Sequence, residues 1–101
     1  MNNRKLKILR AVIDEYILTG EPVGSKKIAM LPEINVSAAT VRNDMAILEQ
    51  LGLLEQPHTS AGRIPTFSGF KVYIDTISAE KRALSEEEKR RLDEMLNINS
   101  V

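Results

Sequence analysis

The sequence predicts a mainly α domain with a small antiparallel β-hairpin, arranged as a winged helix-turn-helix. Three observations predict it. Apolar residues recur at helical spacing over residues 4–19, 37–51 and 67–77. Two short strand-like runs, Leu53–Gln56 and Ile64–Thr66, flank a segment rich in turn formers, Pro57-His58-Thr59-Ser60-Ala61-Gly62-Arg63. The helix before that hairpin follows a short polar turn and has an outer face that is small and uncharged.

In the first helix, Arg4 to Thr19, the residues Leu6, Leu9, Ile13, Tyr16 and Ile17 make one apolar stripe. Asn3 is its expected N-cap, and Gly20 the left-handed residue that ends it. Glu21-Pro22-Val23-Gly24 reads as a turn with a brief edge strand at Val23. Ser25 is expected to cap a short second helix that turns Lys26 and Lys27 outward and Ile28 and Leu31 inward. Pro32 stops it by pushing the preceding residue out of the helical region. Ser37 caps the third helix, which runs to about Leu51 before Gly52. Its inner stripe is Val41, Met45 and Leu48 with Ala38 beside it, and the opposite face carries Ala39, Asn43, Ala46 and Gln50.

After the hairpin, whose second strand Pro65 is expected to confine to an edge, Thr66 can cap a fourth helix. Phe67, Phe70, Ile74 and Ile77 are spaced to face the core from it. The character changes after Ser78. Ser85-Glu86-Glu87-Glu88 reads as a capping box followed by KRRLDEML, with a narrow stripe of Leu92, Met95 and Leu96. Residues 1–78 are accordingly read as the winged helix-turn-helix domain and 79–101 as a connector helix that needs a partner.

Composition excludes much. A chain of 101 residues with 43% hydrophobic residues fits one compact domain with an extra arm. The absence of cysteine rules out disulfides, thiolate metal sites and Cys nucleophiles. With one histidine and no clustered carboxylates in a plausible pocket, no catalytic residue, cofactor or metal is expected. No apolar run has the length of a membrane span, and the basic start MNNRKLKILRAV lacks the apolar run of a secretion signal. A cytoplasmic protein is the expectation.

The third helix and the hairpin carry the expected chemistry, contact with double-stranded DNA. A helix N-terminus gathers unpaired N–H groups and partial positive charge, which suits a phosphate oxygen. Here Ser37 and Thr40 add hydroxyl groups, and neither Ala38 nor Ala39 obstructs a groove. Arg42 and Asn43 are the candidates for base edges, because arginine matches the acceptors of guanine and asparagine matches adenine. Ala39 can meet a thymine methyl. Arg42, on a flank, is left between a base, a phosphate and a structural pairing, with Asp44, to the second helix. At the hairpin, Gly62 allows a sharp tip and Arg63 is expected to reach a minor groove or its phosphates. His58, Thr59 and Ser60 add neutral donors, and Lys26 joins from the second helix.

Charge weighs against this reading, since fourteen basic and fourteen acidic residues cancel and nucleic-acid binders often carry a basic excess. Residues 1–76 hold nine Lys/Arg and eight Asp/Glu, so the salt dependence of one copy should be shallow. Useful affinity is expected of two copies on one duplex.

The run TVRNDMAILEQLGLLEQPHTSAGRIPT closely resembles the N-terminal winged-helix domain of the bacterial heat-inducible transcription repressor family HrcA. ILRAVIDEYILTGEPVGSKKIA upstream and FSGFKVYID downstream are similar too. The match covers about residues 4–77, with QPHTSAGRIPT its most distinctive part. The resemblance implies a repressor of heat-shock chaperone operons that binds an inverted-repeat operator as a homodimer, with the chaperonin as a partner. It also implies that the third helix is the recognition helix and residues 57–63 the wing. The family carries a larger C-terminal region, so this chain is expected to be a fragment or a shortened relative. Two other readings stay open: a winged helix that binds protein, and a winged-helix regulator of another regulon.

Overall fold

The computed structural model describes residues 1–99. Its elements are α1 (Asn3–Thr19), α2 (Ser25–Ala29), α3 (Ala38–Gln50), β1 (Leu54–Glu55), β2 (Ile64–Pro65) and α4 (Phe67–Asn99). The N-cap of α1 is Asn2, one residue earlier than expected. Its side-chain oxygen accepts the Lys5 N–H at 2.9 Å, satisfying one of the helix's unpaired donors. At the other end Gly20, at φ 68°, donates its N–H to the Tyr16 carbonyl.

The core forms where α1, α2 and α3 meet the hairpin. Ile8, Leu9, Val12 and Ile13 of α1 pack with Ile28, Ile34, Val41, Met45, Leu48, Leu53 and Leu54. Each large aliphatic side chain buried there contributes roughly 1.5–3 kcal/mol. The buried stripe of α1 is centred on Ile8 and Val12 more than on Leu6. Ile17 is 59% exposed because the last turn of α1 runs past the core.

The helix-turn-helix departs from expectation in two details. Gly24, not Ser25, occupies the N-cap of α2 and makes no side-chain cap bond. The helix also ends at Ala29, before Leu31 and Pro32. In the turn that follows, buried Ile34 anchors the chain and donates to the Leu31 carbonyl. Asn35 sits at φ 47°, a conformation its residue type tolerates better than most. Ser37 then caps α3 as expected, its Oγ accepting the Thr40 N–H at 3.2 Å.

Asp44 joins the core beside Val41, Met45 and Leu48 although it is only 2% exposed. Arg4 of α1 grips it with two bonds, Nε to Oδ2 at 2.7 Å and Nη2 to Oδ1 at 3.2 Å, and Lys5 Nζ lies 3.6 Å away. The pairing of Arg42 and Asp44 with the second helix is thus not found among the described residues, since Asp44, on α3, pairs with Arg4 and Lys5 of α1. Gly52, at φ 77°, ends α3 in a Schellman turn, in which Gly52 N–H bonds Glu49 O and Leu53 N–H bonds Leu48 O.

β1 and β2 pair antiparallel in the register Leu54 with Pro65 and Glu55 with Ile64. Val23 adds the expected extra strand as a single bridge to Arg63, with both N–H···O bonds at 2.9 Å. The sheet has two strands, so β2 lies at an edge as expected, and Val23 meets only Arg63, just ahead of it. Pro65 fits there because hydrogen-bonding direction alternates along a strand. Thr66 N–H points to the carbonyl of Leu53, just before β1, so the missing N–H of Pro65 faces the Val23 side and stops that pairing after one bridge.

Helix α4 is capped by Thr66, whose Oγ1 accepts the Gly69 N–H at 3.0 Å and donates to the Gly52 carbonyl at 2.6 Å. Its rotation differs from the sequence expectation. Phe70, Val72 and Tyr73 pack on the core, while Phe67 is 85% and Ile74 58% exposed. Gly69 sets this rotation, because its backbone lies flat against Leu53. A Cβ at residue 69 would sit 2.1 Å from the Leu53 carbonyl oxygen. Farther along, Tyr73 donates to Asp14 and Arg10 pairs with Glu80, clasping α4 to α1. The capping box at Ser85 opens no new helix. The preceding AEKRAL is made of strong helix formers, so propensity carries the helix through.

Two stability predictions follow from this packing. Gly69→Ala gains helix propensity of about 1 kcal/mol yet should destabilise the fold by about 1–3 kcal/mol net, through overpacking against Leu53. A thermal melt should show the midpoint falling, and a rise would contradict the contact. The Arg4 guanidinium holds the Asp44 carboxyl below the usual carboxylate range, against the opposing push of burial. A depressed folded pKa means stability that is present above the unfolded value and lost as pH falls through the folded one. Asp44→Asn should therefore cost about 1–2 kcal/mol at neutral pH. In urea titrations from pH 7 downward, that deficit should shrink as the wild-type carboxylate protonates.

Candidate nucleic-acid interface

The exposed surface of α3 is what its sequence period requires once Val41, Met45 and Leu48 are buried. Ala39, Arg42, Asn43 and Gln50 are exposed, and Ala46 is half-buried. The first turn presents no large side chain. Ser37 Oγ and Thr40 Oγ1 lie 3.1 Å apart and share a hydrogen bond, which steadies both hydroxyls at the helix N-terminus. Asn43 stands one turn further on, with its amide in solvent.

The second helix brings one candidate cation and spends the other. Lys26 is exposed, and among the described residues neither it nor Arg42 makes an ion pair. Lys27 is tied to Glu15 of α1. Lys26 and Arg42 flank a cleft of about 460 Å³ between the start of α2, α3 and the hairpin, with Met45, Gln56 and Gly62 on its walls.

At the hairpin loop His58 and Thr59 are exposed, while Ser60 is half-buried and structural. Its Oγ accepts the Gly62 N–H at 3.0 Å, and its carbonyl accepts from Gln56 Nε2 at 3.3 Å. Gly62 is needed for clearance, and its φ is not positive. A Cβ there would meet the Pro22 backbone carbonyl carbon, Pro22 Cβ and Val23 N at 3.0 Å.

Arg63 is where the expectation is corrected most. Its side chain does not extend from the loop. It is 14% exposed, and its Nε donates to Glu49 Oε1 at 2.7 Å while Nη1 donates to the Ala61 carbonyl at 2.7 Å. Bridge pairing to Val23 holds its backbone in the sheet, which aims the side chain along the body of the protein. The sequence reading missed Glu49 as its partner and Gln56 as a wall of the cleft. No period or motif links residues 49 and 63, because only the turn at Gly52 and the hairpin bring them together.

Among the described residues, no group of three or more His, Cys, Asp or Glu side chains is placed to hold a metal ion. Nor, among the described residues, is any helix long and apolar enough to cross a membrane. The arrangement is that of a surface, with small groups, hydrogen-bonding groups and two uncommitted cations.

Comparison with known proteins agrees with that geometry. The family model described as winged helix-turn-helix transcription repressor, HrcA DNA-binding, matches residues 1–80. The heat-inducible transcription repressor HrcA of Moorella thermoacetica is 53% identical over 105 aligned residues, covering 100% of this chain and 30% of that protein. The protein of the same name from Clostridium perfringens is 57% identical over 88, covering 87% of this chain and 26% of its own length. A crystal structure described as that of a hypothetical protein overlays with a TM-score of 0.78 at 42% identity, over 82% of this chain and 26% of that one. The chain thus spans less than a third of the length of these relatives, which are named as repressors and not as enzymes. With its helix-turn-helix, its hairpin and this match, the chain belongs to the HrcA DNA-binding family of winged helix-turn-helix transcription repressors.

Proposed function

We propose that this chain is the operator-reading part of a repressor, with residues 1–78 as the DNA-binding domain and 79–101, of which the last two lie outside the described residues, as a connector to further sequence. α3 docks in the major groove of double-stranded DNA, α2 and the wing hold the backbone, and the bound protein obstructs polymerase. One observation carries this reading: the outer side of α3 presents Ala39 and Asn43 to solvent while Val41, Met45 and Leu48 are buried. Ser37 and Thr40 serve a phosphate at the helix N-terminus. Asn43 reads a base, Ala39 gives close approach, Lys26 and Arg42 meet phosphates, and His58 and Thr59 touch the duplex from the wing.

Family membership supports an inverted-repeat operator of heat-shock chaperone operons. Two copies would lie on half-sites one helical turn or a multiple apart. The homodimer, the chaperonin partner and the cytoplasmic setting are proposed for the longer protein. The neutral net charge would also suit a winged helix that binds protein. Selection of a duplex from random DNA, followed by gel retardation against a scrambled duplex, separates the two. Preference for the selected duplex is expected, and equal retention of both would favour the protein-binding reading.

Asn43→Ala should weaken binding to the selected duplex by about 1–3 kcal/mol and leave scrambled DNA nearly unaffected. Equal losses on both would remove Asn43 as a base reader. Lys26→Ala and Arg42→Ala should each weaken binding to both duplexes and flatten the plot of log K against log salt by about one phosphate's worth. An unchanged slope would take that cation off the contact surface.

A further inference from the structure

We propose that Arg63 is a positioning residue that fixes the wing against the recognition helix through Glu49 and makes no contact with DNA itself. This rests on the DNA-binding reading above and adds how the two contacting elements are kept in register. This one residue joins three parts of the molecule. Its Nε bonds Glu49 at the end of α3, its Nη1 bonds the Ala61 carbonyl in the loop, and its backbone pairs with Val23.

The need for such a strut follows from the size of the hairpin. β1 and β2 are two residues each, and a hairpin that short has little stability of its own. The other loop bonds, Gln56 to Ser60, Gly62 to Ser60 and Ser60 to Pro57, close the loop on itself and leave its angle to α3 unspecified. The Arg63–Glu49 pair supplies that angle. A guanidinium suits the task because its planar fork bonds two acceptors in different directions at once, which an ammonium on a flexible stem does less well. Glu49 also gains a reason to exist on a helix that meets a polyanion. An acid there repels phosphate, so its removal would ordinarily tighten binding. As half of a strut, its removal loosens binding.

That difference in sign is the test. The 101-residue chain and its Glu49→Ala, Glu49→Gln, Arg63→Ala and double-alanine variants are titrated by fluorescence anisotropy against the duplex the wild type selects, over a salt series. Glu49→Ala and Arg63→Ala should each weaken binding about five- to tenfold, and the double variant should be no weaker than Arg63→Ala alone. Glu49→Gln keeps an acceptor oxygen in place and should recover most of the loss, and every salt slope should match the wild type. Unchanged or tighter binding by Glu49→Ala, or a slope lowered by about one phosphate in Arg63→Ala, overturns the proposal.

Amide hydrogen exchange gives a reading without DNA. In Glu49→Ala, exchange at Val23 and Arg63 should accelerate about tenfold or more while the amides of Val41 to Leu48 stay protected. Unaltered exchange at Val23 and Arg63 overturns the strut. A wild type that prefers no duplex, with this exchange pattern intact, leaves the strut standing and places the failure on the DNA-binding reading alone.

Discussion

A carboxylate buried between two helices determines which side of α3 faces outward. Asp44 is held in the α1–α3 interface by Arg4 and Lys5, and Val41, Met45 and Leu48 must turn inward with it. A purely apolar stripe would tolerate rotation of the helix by a fraction of a turn. A bidentate ion pair tolerates much less, because both bonds require one orientation of the guanidinium plane. The ion pair costs desolvation, so its gain lies more in orientation than in net stability. With that rotation fixed, Ala39 and Asn43 face solvent together.

The second constraint acts at the other end of α3. The Schellman turn at Gly52, the Thr66 hydroxyl on the Gly52 carbonyl and the bare backbone of Gly69 against Leu53 bring three segments to one point. From there β1 leaves for the wing, and α4 crosses back over α1 to the Tyr73–Asp14 and Arg10–Glu80 contacts. The wing thereby starts from a fixed origin, and only its tilt needs a further tie. Close approach explains Gly62 in the same way, since Pro22 fills the space its side chain would take. Two of the chain's glycines are thus placed by contact distance, and Gly20 and Gly52 by a positive φ.

The local part of this architecture was legible in the residue order. Ser37 before an apolar period, Gly20 and Gly52 after one, and turn formers between two short strands act within a few residues of themselves. What escaped is long-range. Asp44 sits at a position that helical spacing marks as inward, but nothing nearby says that an acid there will find Arg4, forty residues back. Phe67 and Ile74 were expected inside because aromatic and aliphatic residues at that spacing normally are. Gly69, which has no side chain to count, in fact sets the rotation that leaves them outside. At Ser85 a correct local signal lost to the helix formers before it. Arg63 looked free because a cation beside a glycine tip resembles a groove-reaching side chain, and its acid partner lies across a turn and a hairpin.

Pairing also changes the meaning of the neutral net charge. Arg4, Lys5, Arg10, Lys27 and Arg63 are each matched to an acid of the same fold. The cations left near the recognition face are Lys26 and Arg42, and few phosphates can be neutralised by one copy. Sequence-independent binding comes essentially from that phosphate term, whereas discrimination comes from base edges and shape. In the proposed docking a face poor in free cations would lose affinity for bulk DNA faster than for its own site, because Asn43 and the small groups around it would act only where the bases match. Specificity improves while affinity per copy falls. In the proposed dimer a second copy on the same duplex would multiply the matched contacts while adding only its own Lys26 and Arg42 to the phosphate attraction, so weak charge and paired half-sites would be two sides of one arrangement.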